Sequence, residues 1–298
     1  MKKEIAIVYH PKYNLDLGPH VFPAKKYEAI HALIQKDPSF KKVSFHVPIP
    51  ADQIDLELVH GFEYLNDVFS YEHTFRTNTS ELPLHEAIIS SFLFAVGGTI
   101  LATKLTNQFA RVMNVGGGFH HSFPSRAEGF CYFNDVAIAT KIYLEEHPKA
   151  NVLIIDLDLH QGNGTAYIFE GEKNVYTFSM HQENLYPKKE KGNLDVGLEM
   201  GIPTEEYLSI LERSLEQIRK EFQPDLIFYL AGADPYEDDS LGSLKVSMAG
   251  LKERDRMVYK FGSKIKVPVV TVLAGGYANN FQDTVQIHFN TLKAMMEF

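Results

Sequence analysis

Residues 152–164 constrain the fold of this chain more than any other part of its sequence. An apolar run at 152–155 predicts a buried strand of a parallel sheet, and Asp156, Asp158 and His160 follow at its carboxyl end. Because side chains alternate along a strand, we expect these three polar groups to share one face. The sequence therefore predicts a metal site or a proton-transfer site at the end of this strand.

The rest of the chain alternates between strand-like and helical patterns. Strands are predicted over 4–9, 43–49, 111–115, 152–158, 175–180, 225–231 and 267–273. Helices are predicted between most of them, over 24–35, 84–107, 134–146, 205–222 and 246–263. This alternation predicts an α/β fold with a central, mainly parallel sheet flanked by helices. We find no long linker and expect one domain over 1–298. Ligand sites of such sheets lie beyond the carboxyl ends of the strands.

Composition narrows the classes of partner. The chain of 298 residues has a formal net charge of −9 and no cluster of Lys or Arg, so nucleic acid is not an expected partner. The acidity is explained by solubility more readily than by a cationic substrate. The single cysteine, Cys131, allows no intrachain disulfide, and we expect a cytoplasmic protein. No membrane span is expected, because serines and glycines interrupt the longest apolar stretch, at 88–100.

Four predicted strands are followed by motifs that combine glycine with polar side chains. The motifs are GGGFHH at 116–121, DLDLHQGNG at 156–164, GAD at 232–234 and GGY at 275–277. Glycine allows the backbone to approach a metal or a substrate closely. Because the carboxyl ends of parallel strands meet at one edge of the sheet, we expect the four motifs to form one site.

Asp158, His160 and Asp234 offer two carboxylates and one imidazole. Three protein ligands with an open fourth position are typical of a catalytic zinc site, although iron(II) or another divalent ion fits the same ligands. Each polar side chain at a strand end also has a structural alternative, since Asp158, Asn163 or Asp234 could cap a helix.

The adjacent His120 and His121 offer a base for a water molecule and an acid for a leaving amine. Tyr277 offers a phenol that could donate to a carbonyl oxygen as it becomes an oxyanion. A histidine pair and a tyrosine after two glycines are unremarkable on their own. Their assignment to a catalytic site therefore depends on the neighbouring metal ligands.

Together with GFCYFND at 129–135, these motifs resemble the zinc-dependent histone deacetylase family of the arginase–deacetylase superfamily. The resemblance runs from Tyr9 to Tyr277. It implies the single-domain, three-layer fold of that superfamily and one zinc ion per chain, held by Asp158, His160 and Asp234. Within the family the chain looks most like class IV enzymes, because of QGNG at 161–164, VGGTI at 96–100 and residues 5–14.

The resemblance also implies roles for the other residues. His121 would be the general base and acid, His120 would stabilise charge, and Tyr277 would polarise the scissile carbonyl. Asp156 would accept a hydrogen bond from His120, and Asn163 would orient His121 without a full charge. The residues that match the substrate tunnel are Gly129, Phe130, Tyr186, Leu241, Gly275 and Gly276. The residues that match a potassium shell are Asp156, Asp158, His160, Ser179 and Met180.

The leading interpretation is a zinc-dependent amidohydrolase that removes an acetyl or longer acyl group from N-acyl-lysine side chains of a protein or peptide. The alternative is an acetylpolyamine amidohydrolase with the same mechanism. An arginase-like ureohydrolase with two manganese ions needs further acids, and Gly162 and Pro235 stand where these are expected. A catalytically inactive acyl-lysine binding module is disfavoured by the retained His121 and Tyr277. We find no counterpart of the acidic rim residue that holds the substrate backbone in class I enzymes.

Overall fold

The computed structural model describes residues 3–298, which form an α/β unit around one eight-stranded sheet. The strands are β1 (Lys3–Val8), β2 (Ser44–His46), β3 (Phe109–Asn114), β4 (Val152–Asp156), β5 (Val175–Gln182), β6 (Leu194–Leu198), β7 (Leu226–Leu230) and β8 (Val269–Val272). Their order in the sheet is β2-β1-β3-β8-β7-β4-β5-β6, and every neighbouring pair is parallel. Every residue of β4 and of β7 is buried, as expected for strands covered on both faces.

Two groups of helices flank this sheet. The helices are α1 (Lys26–Lys36), α2 (Gln53–Glu57), α3 (Phe62–Phe69), α4 (Phe75–Asn78), α5 (Glu86–Leu105), α6 (Asp135–Glu146), α7 (Asn163–Ile168), α8 (Thr204–Glu221), α9 (Met248–Ile265) and α10 (Phe281–Met295). Helices α8, α9, α10 and α1 pack against one another in that order, and α5 packs against α6. The predicted three-layer architecture with a parallel sheet is confirmed.

The strand predicted over 43–49 is shorter, at Ser44–His46, and two further departures from the predicted strands are at β6 and at the end of β4. Residues of β6 alternate between half-buried and exposed positions at the edge of the sheet, so the segment lacks the apolar run that marks a central strand. β4 ends at Asp156, and Asp158 and His160 lie in the turn after it. The expectation that all three share a strand face is therefore wrong. The turn, and not strand alternation, orients Asp158 and His160.

The serines and glycines in the apolar stretch at 88–100 do not interrupt helix α5. It has 20 residues with a mean hydropathy of 1.7, so by length and composition it could cross a membrane. Yet 72% of its most apolar stretch of 18 residues is buried within the protein, and the helix packs on α6, β1 and β3. These contacts are those of a core helix.

The strand order explains how distant segments reach one site. β3, β8, β7 and β4 are consecutive neighbours in the sheet. Each of the four sequence motifs follows one of these strands at its carboxyl end. The fold therefore places all four motifs along the middle of one sheet edge, where ligands of open α/β sheets bind.

Candidate active site

Asp158, His160 and Asp234 meet in a buried cluster at the ends of β4 and β7. His160 Nδ1 lies 3.3 Å from Asp158 Oδ1 and 3.4 Å from Asp234 Oδ2. Ligand atoms of a tetrahedral zinc ion at ~2.1 Å are themselves ~3.4 Å apart, so this spacing fits one shared cation. Asp234 Oδ2 is buried and accepts no hydrogen bond from any described residue. An ionised carboxylate oxygen without a donor is expected where a cation is its partner.

The backbone of neighbouring loops holds the two carboxylates in place. Gly275 N donates to Asp158 Oδ2 at 2.7 Å, and Leu159 N donates to Asp234 Oδ1 at 3.0 Å. A side chain at Gly275 would collide with Asp234 Oδ2, so only glycine permits this approach. The loops after β4, β7 and β8 therefore fix one another through these carboxylates.

The alternative that Asp158 or Asn163 caps a helix is wrong. Helix α7 has Gly162 as its N-cap residue, with no capping hydrogen bond from a side chain. Asp158 Oδ1 accepts from His160 N, and the amide of Asn163 points elsewhere. The side chains of Asp158 and Asn163 are thus available to a functional site.

The cluster has an excess of negative charge. Burial lowers the pKa of His160, but the neighbouring carboxylates of Asp158 and Asp234 outweigh burial and raise it to about 10. Burial and the charge of Asp158 raise the pKa of Asp234. Two buried carboxylates beside one imidazole require a bound proton or a cation for neutrality. The three residues therefore fit a divalent cation in charge as well as in spacing.

His120 and His121 form a hydrogen-bonded pair behind this cluster. His120 Nδ1 donates to Asp156 Oδ2 at 2.7 Å, and His121 Nδ1 donates to Asn163 Oδ1 at 2.8 Å. The two Nε2 atoms are 3.1 Å apart. Each ring is thus oriented by a side chain on its Nδ1 atom, which is how a histidine tautomer is set.

The two histidines have opposite electrostatic environments. Burial lowers the pKa of His120, but Asp156 and Asp158 outweigh burial and raise it to about 9. Burial and the charges of His120 and His160 lower the pKa of His121 well below its ordinary value. His121 is therefore neutral, with a lone pair on Nε2, and is the histidine that can accept a proton.

Tyr277 borders the same cavity, after the glycines that follow β8. Burial and the charges of Asp234 and Asp158 raise the pKa of its phenol well above the ordinary value. The hydroxyl therefore stays protonated and remains a hydrogen-bond donor, as stabilisation of an oxyanion requires.

The cavity at this site is narrow, with a volume of about 20 Å³, which is room for about one water molecule. Its lining includes the predicted residues Gly129, Phe130 and Gly275. The full lining is Phe22, Gly117, Gly118, Phe119, His120, His121, Gly129, Phe130, Cys131, Asp158, His160, Ala274, Gly275 and Tyr277. Any larger ligand requires the side chains at its mouth to move apart.

Tyr186, Leu241 and Gly276 do not line this cavity. The ring of Tyr186 lies at its mouth, with its centroid 5.5 Å from that of His121 and 6.2 Å from that of His160. Leu241 donates its backbone N–H to Asp239, in the turn that holds Tyr277. Tyr186 is thus close enough to His121 and His160 to contact a bound substrate. Leu241 and Gly276 have no contact with the cavity that would support a role in substrate binding.

The predicted potassium shell lies beside β4. Ser179 on β5 pairs with Asp156, and its hydroxyl lies 2.9 Å from His181 Nδ1. Met180 is wholly buried on the same strand. Potassium binding by this group stays a prediction.

Sequence reasoning missed several residues that shape the site. Lys26 is wholly buried, and its Nζ donates to Ala274 O at 2.6 Å, beside the ligand carboxylates. Burial lowers the pKa of Lys26 to about 8. Both carboxylate oxygens of Asp135 accept from Gly118 N, and Oδ1 also accepts from Phe119 N, which shapes the loop before the histidines. No local signal marks these partners, because each acts on a segment distant in sequence.

An acidic side chain also stands near the mouth, where none was identified from the sequence. Glu81 is exposed and has a φ of 60°, which is unusual for a residue other than glycine. The preceding Ser80 accepts a hydrogen bond from Phe130 N, which places this loop beside the cavity wall. The charge of Glu81 contributes to the raised pKa of Tyr186, after burial and Glu128.

Comparison with known proteins places this chain in a family. A model of the histone deacetylase domain matches residues 20–292. Histone deacetylase 2 of Arabidopsis thaliana is 32% identical over 290 residues, covering 92% of this chain and 75% of that one. An uncharacterized protein of Picosynechococcus sp. is 38% identical over 288 residues, covering 95% of both chains. The acetoin utilization protein AcuC of Bacillus subtilis is 26% identical over 283 residues, covering 86% and 73%.

Two crystal structures have the same fold. An HDAC homolog complexed with SAHA superposes with a TM-score of 0.84 at 23% identity, covering 99% of this chain and 84% of that one. An HDAC homolog from Aquifex aeolicus gives a TM-score of 0.83 at 22% identity, with the same coverage. With the domain model matched over most of its length, this chain belongs to the histone deacetylase family.

Proposed function

We propose that this protein is a zinc-dependent amidohydrolase that removes an acyl group from N-acyl-lysine side chains. One arrangement carries the proposal: Asp158, His160, His121 and Tyr277 line a single cavity. Asp234 completes the group of possible metal ligands, 3.4 Å from His160 Nδ1. Metal ligands, a neutral base and a protonated phenol are the groups that metal-assisted amide hydrolysis needs. The relatives named histone deacetylases support the same substrate class.

A zinc ion held by Asp158, His160 and Asp234 would supply Lewis-acid polarisation of the acyl carbonyl and of the attacking water. His121 accepts a proton at Nε2 and later delivers it to the leaving lysine amine. His120, whose pKa is raised by Asp156 and Asp158 despite burial, supplies positive charge beside this proton transfer. Tyr277 donates from its hydroxyl to the carbonyl oxygen as negative charge develops there.

The cavity favours a short acyl group. Its volume is about 20 Å³, and its lining includes His121, Phe130 and Tyr277, so the smallest acyl group, acetyl, fits it best. We therefore assign acetyl-lysine as the preferred substrate.

An acylated polyamine is the second candidate. Exposed Glu81 beside the mouth and a net charge of −9 favour a substrate with free ammonium groups. By contrast, two-manganese ureohydrolase chemistry lacks support. In residues 3–298, Asp158, His160 and Asp234 are the one group of three or more His, Cys, Asp or Glu side chains that is close enough to hold a metal.

Two finer assignments belong to the same proposal. The QGNG motif at 161–164 supports class IV within the family. We also assign a potassium ion to the shell of Asp156, Asp158, His160, Ser179 and Met180. Its test is a change in kcat or in thermal stability when potassium chloride replaces a chloride salt of a larger cation.

The experiment is a substrate panel with the zinc-loaded protein. It compares lysine peptides with acetyl, butyryl, octanoyl and myristoyl groups against acetylspermidine and acetylputrescine. We expect acetyl-lysine to give the highest kcat/KM, a chelator to abolish turnover, and added zinc to restore it. A hydroxamate should inhibit by chelating the open position. No turnover of any substrate by protein with bound metal would overturn the proposal and favour an acyl-lysine binding module.

A further inference from the structure

Glu128 stands behind the residue that orients His121. Its Oε1 atom accepts from Asn163 Nδ2 at 2.7 Å, and Asn163 Oδ1 accepts from His121 Nδ1 at 2.8 Å. The carboxylate, the amide and the imidazole thus form a continuous hydrogen-bonded chain. Asn163 and His121 are buried, and the side chain of Glu128 is 16% exposed.

The second oxygen of Glu128 is held by a cation. Glu128 Oε2 accepts from Arg126 Nη2 at 2.9 Å and from Nε at 3.2 Å. The Arg126 guanidinium in turn lies 3.7 Å from the ring centre of Phe123. Both oxygens of Glu128 therefore face N–H donors, and in this arrangement the carboxylate only accepts hydrogen bonds.

This chemistry decides which way the Asn163 side chain faces. An amide has an accepting end and a donating end, and rotation by half a turn exchanges them. Because Glu128 offers no donor, the NH₂ group of Asn163 must face it. The amide oxygen is then left for His121, whose Nδ1 atom must carry the proton and whose Nε2 atom must be free of it.

We propose that Glu128 is a positioning residue for the reaction: it fixes the Asn163 amide and thereby holds His121 in the tautomer that accepts a proton. The inference rests on the proposed function of His121 as the base. It also explains why an amide fits at position 163. An aspartate there would place a second carboxylate about 2.7 Å from Glu128, where two acceptors repel each other.

Exchanging the two side-chain types tests the pairing. In Asn163→Asp, the new carboxylate faces Glu128 without a donor between them. In Glu128→Gln, the new amide has one oxygen where the carboxylate had two. If that oxygen accepts from Arg126, the new NH₂ group faces the NH₂ group of Asn163, and two donors meet. In the double variant, the new amide at 128 donates to the new carboxylate at 163 and still accepts from Arg126.

Steady-state kinetics on zinc-loaded protein give the first readout. We expect each single variant to lower kcat about tenfold or more, with KM changed less than about threefold, as for partners that orient a catalytic group. The double variant should recover to within about threefold of the parent kcat. Metal content should stay close to that of the parent in all three variants. The melting temperature should fall in Asn163→Asp, where two carboxylates repel each other, and should recover in the double variant.

A matched control separates positioning from a structural role. On the surface, Glu172 Oε1 accepts from Lys141 Nζ at 2.9 Å in a comparable ion pair. Glu172→Gln should therefore leave kcat unchanged. If Glu128 only stabilises its turn through Arg126, the double variant will be at least as impaired as the worse single variant. That result, or an Asn163→Asp variant as active as the parent, overturns the inference.

Nuclear magnetic resonance of ¹⁵N-histidine-labelled protein gives a readout independent of turnover. The parent and the double variant should have a protonated Nδ1 and an unprotonated Nε2 at His121, assigned by loss of the signals in His121→Ala. Glu128→Ala should shift or broaden this pair of signals, because the amide is free to rotate. Unchanged signals in Glu128→Ala overturn the inference. If the parent protein hydrolyses no substrate, the proposed function is refuted. The His121 nitrogen signals would then decide alone whether Glu128 sets the tautomer.

Discussion

The backbone N–H of Tyr277 donates to Asp239 Oδ2 over 2.7 Å, across the gap between the loops after β7 and β8. The backbone oxygen of Tyr277 accepts from Ser240, at 2.7 Å from the hydroxyl and 3.1 Å from the backbone N–H. Both polar backbone groups of this tyrosine are thus fixed by the turn that follows Asp234. The position of the phenol is therefore tied to the same loop that presents a metal ligand.

Tyr277→Phe should lower kcat by about a hundredfold or more, because we propose the phenol as the donor to the developing oxyanion. Zinc content and melting temperature should match the parent, since no described residue is hydrogen-bonded to the hydroxyl. Tyr236→Phe is the matched control, because its hydroxyl is directed at Asp283 over 3.4 Å and outside the cavity. Equal activity of Tyr277→Phe and the parent would remove the phenol from the reaction.

Asp234→Ala should lose the metal, because two ligands without the third bind a divalent ion weakly. The measurement is metal content per chain after dialysis, by inductively coupled plasma mass spectrometry. Cys131→Ala is the control, since Cys131 lines the cavity but donates its Sγ–H to Gly129 O at 3.2 Å. Full metal content in Asp234→Ala would refute the ligand assignment.

Gly129→Ala should close the mouth of the cavity. Its Cβ would lie 2.6 Å from His121 Cδ2 and 2.8 Å from Tyr186 Oη, so one of these rings must move. We expect kcat/KM to fall at least about tenfold, as when a catalytic group is misplaced. Gly171→Ala is matched in strain, because Gly171 also has a positive φ but nothing lies near its Cβ. Both variants should lose roughly 1–2 kcal/mol of stability from the left-handed backbone, and only Gly129→Ala should lose activity.

Acid should destabilise the protein through His60. Its Nδ1 donates to Phe123 O at 3.0 Å and its Nε2 accepts from Asn134 N at 3.1 Å, which requires a neutral ring. Burial lowers the pKa of His60 to about 4. Since this pKa is lower in the folded state than in the unfolded state, the stabilisation is complete above pH 6.5 and is lost as pH falls towards 4.

Chemical denaturation at several pH values measures this effect. The share of His60 in the free energy of unfolding should fall by about 2 kcal/mol from pH 7 to pH 5. His60→Gln should flatten the pH dependence by that amount, while exposed His85→Gln should leave it unchanged. Identical slopes for the parent and His60→Gln would exclude His60 as the source.

The four motifs and their convergence could be predicted because each lies directly after an apolar strand. The geometry of parallel strands then brings their ends to one edge. The same reasoning could not find Glu128 or Lys26, whose partners lie 35 and 248 residues away in the chain. Such contacts depend on loop conformations, and local patterns do not encode them. For the same reason, the turn that takes Asp158 and His160 off the strand was not predicted.

The arrangement of β3, β8, β7 and β4 as consecutive neighbours has a consequence for assembly of the protein. Of the loops that carry the four motifs, the loop after β3 comes first in the chain and the loop after β8 comes last, so cleavage anywhere between them separates the proposed catalytic groups from the proposed metal ligands. A nascent chain cannot hold the cation with all three ligands until β7 has joined β4, and cannot complete the reactive centre until β8 is inserted between β3 and β7. Acquisition of tightly held metal during refolding should thus report the docking of β7, and the first turnover should report the arrival of β8.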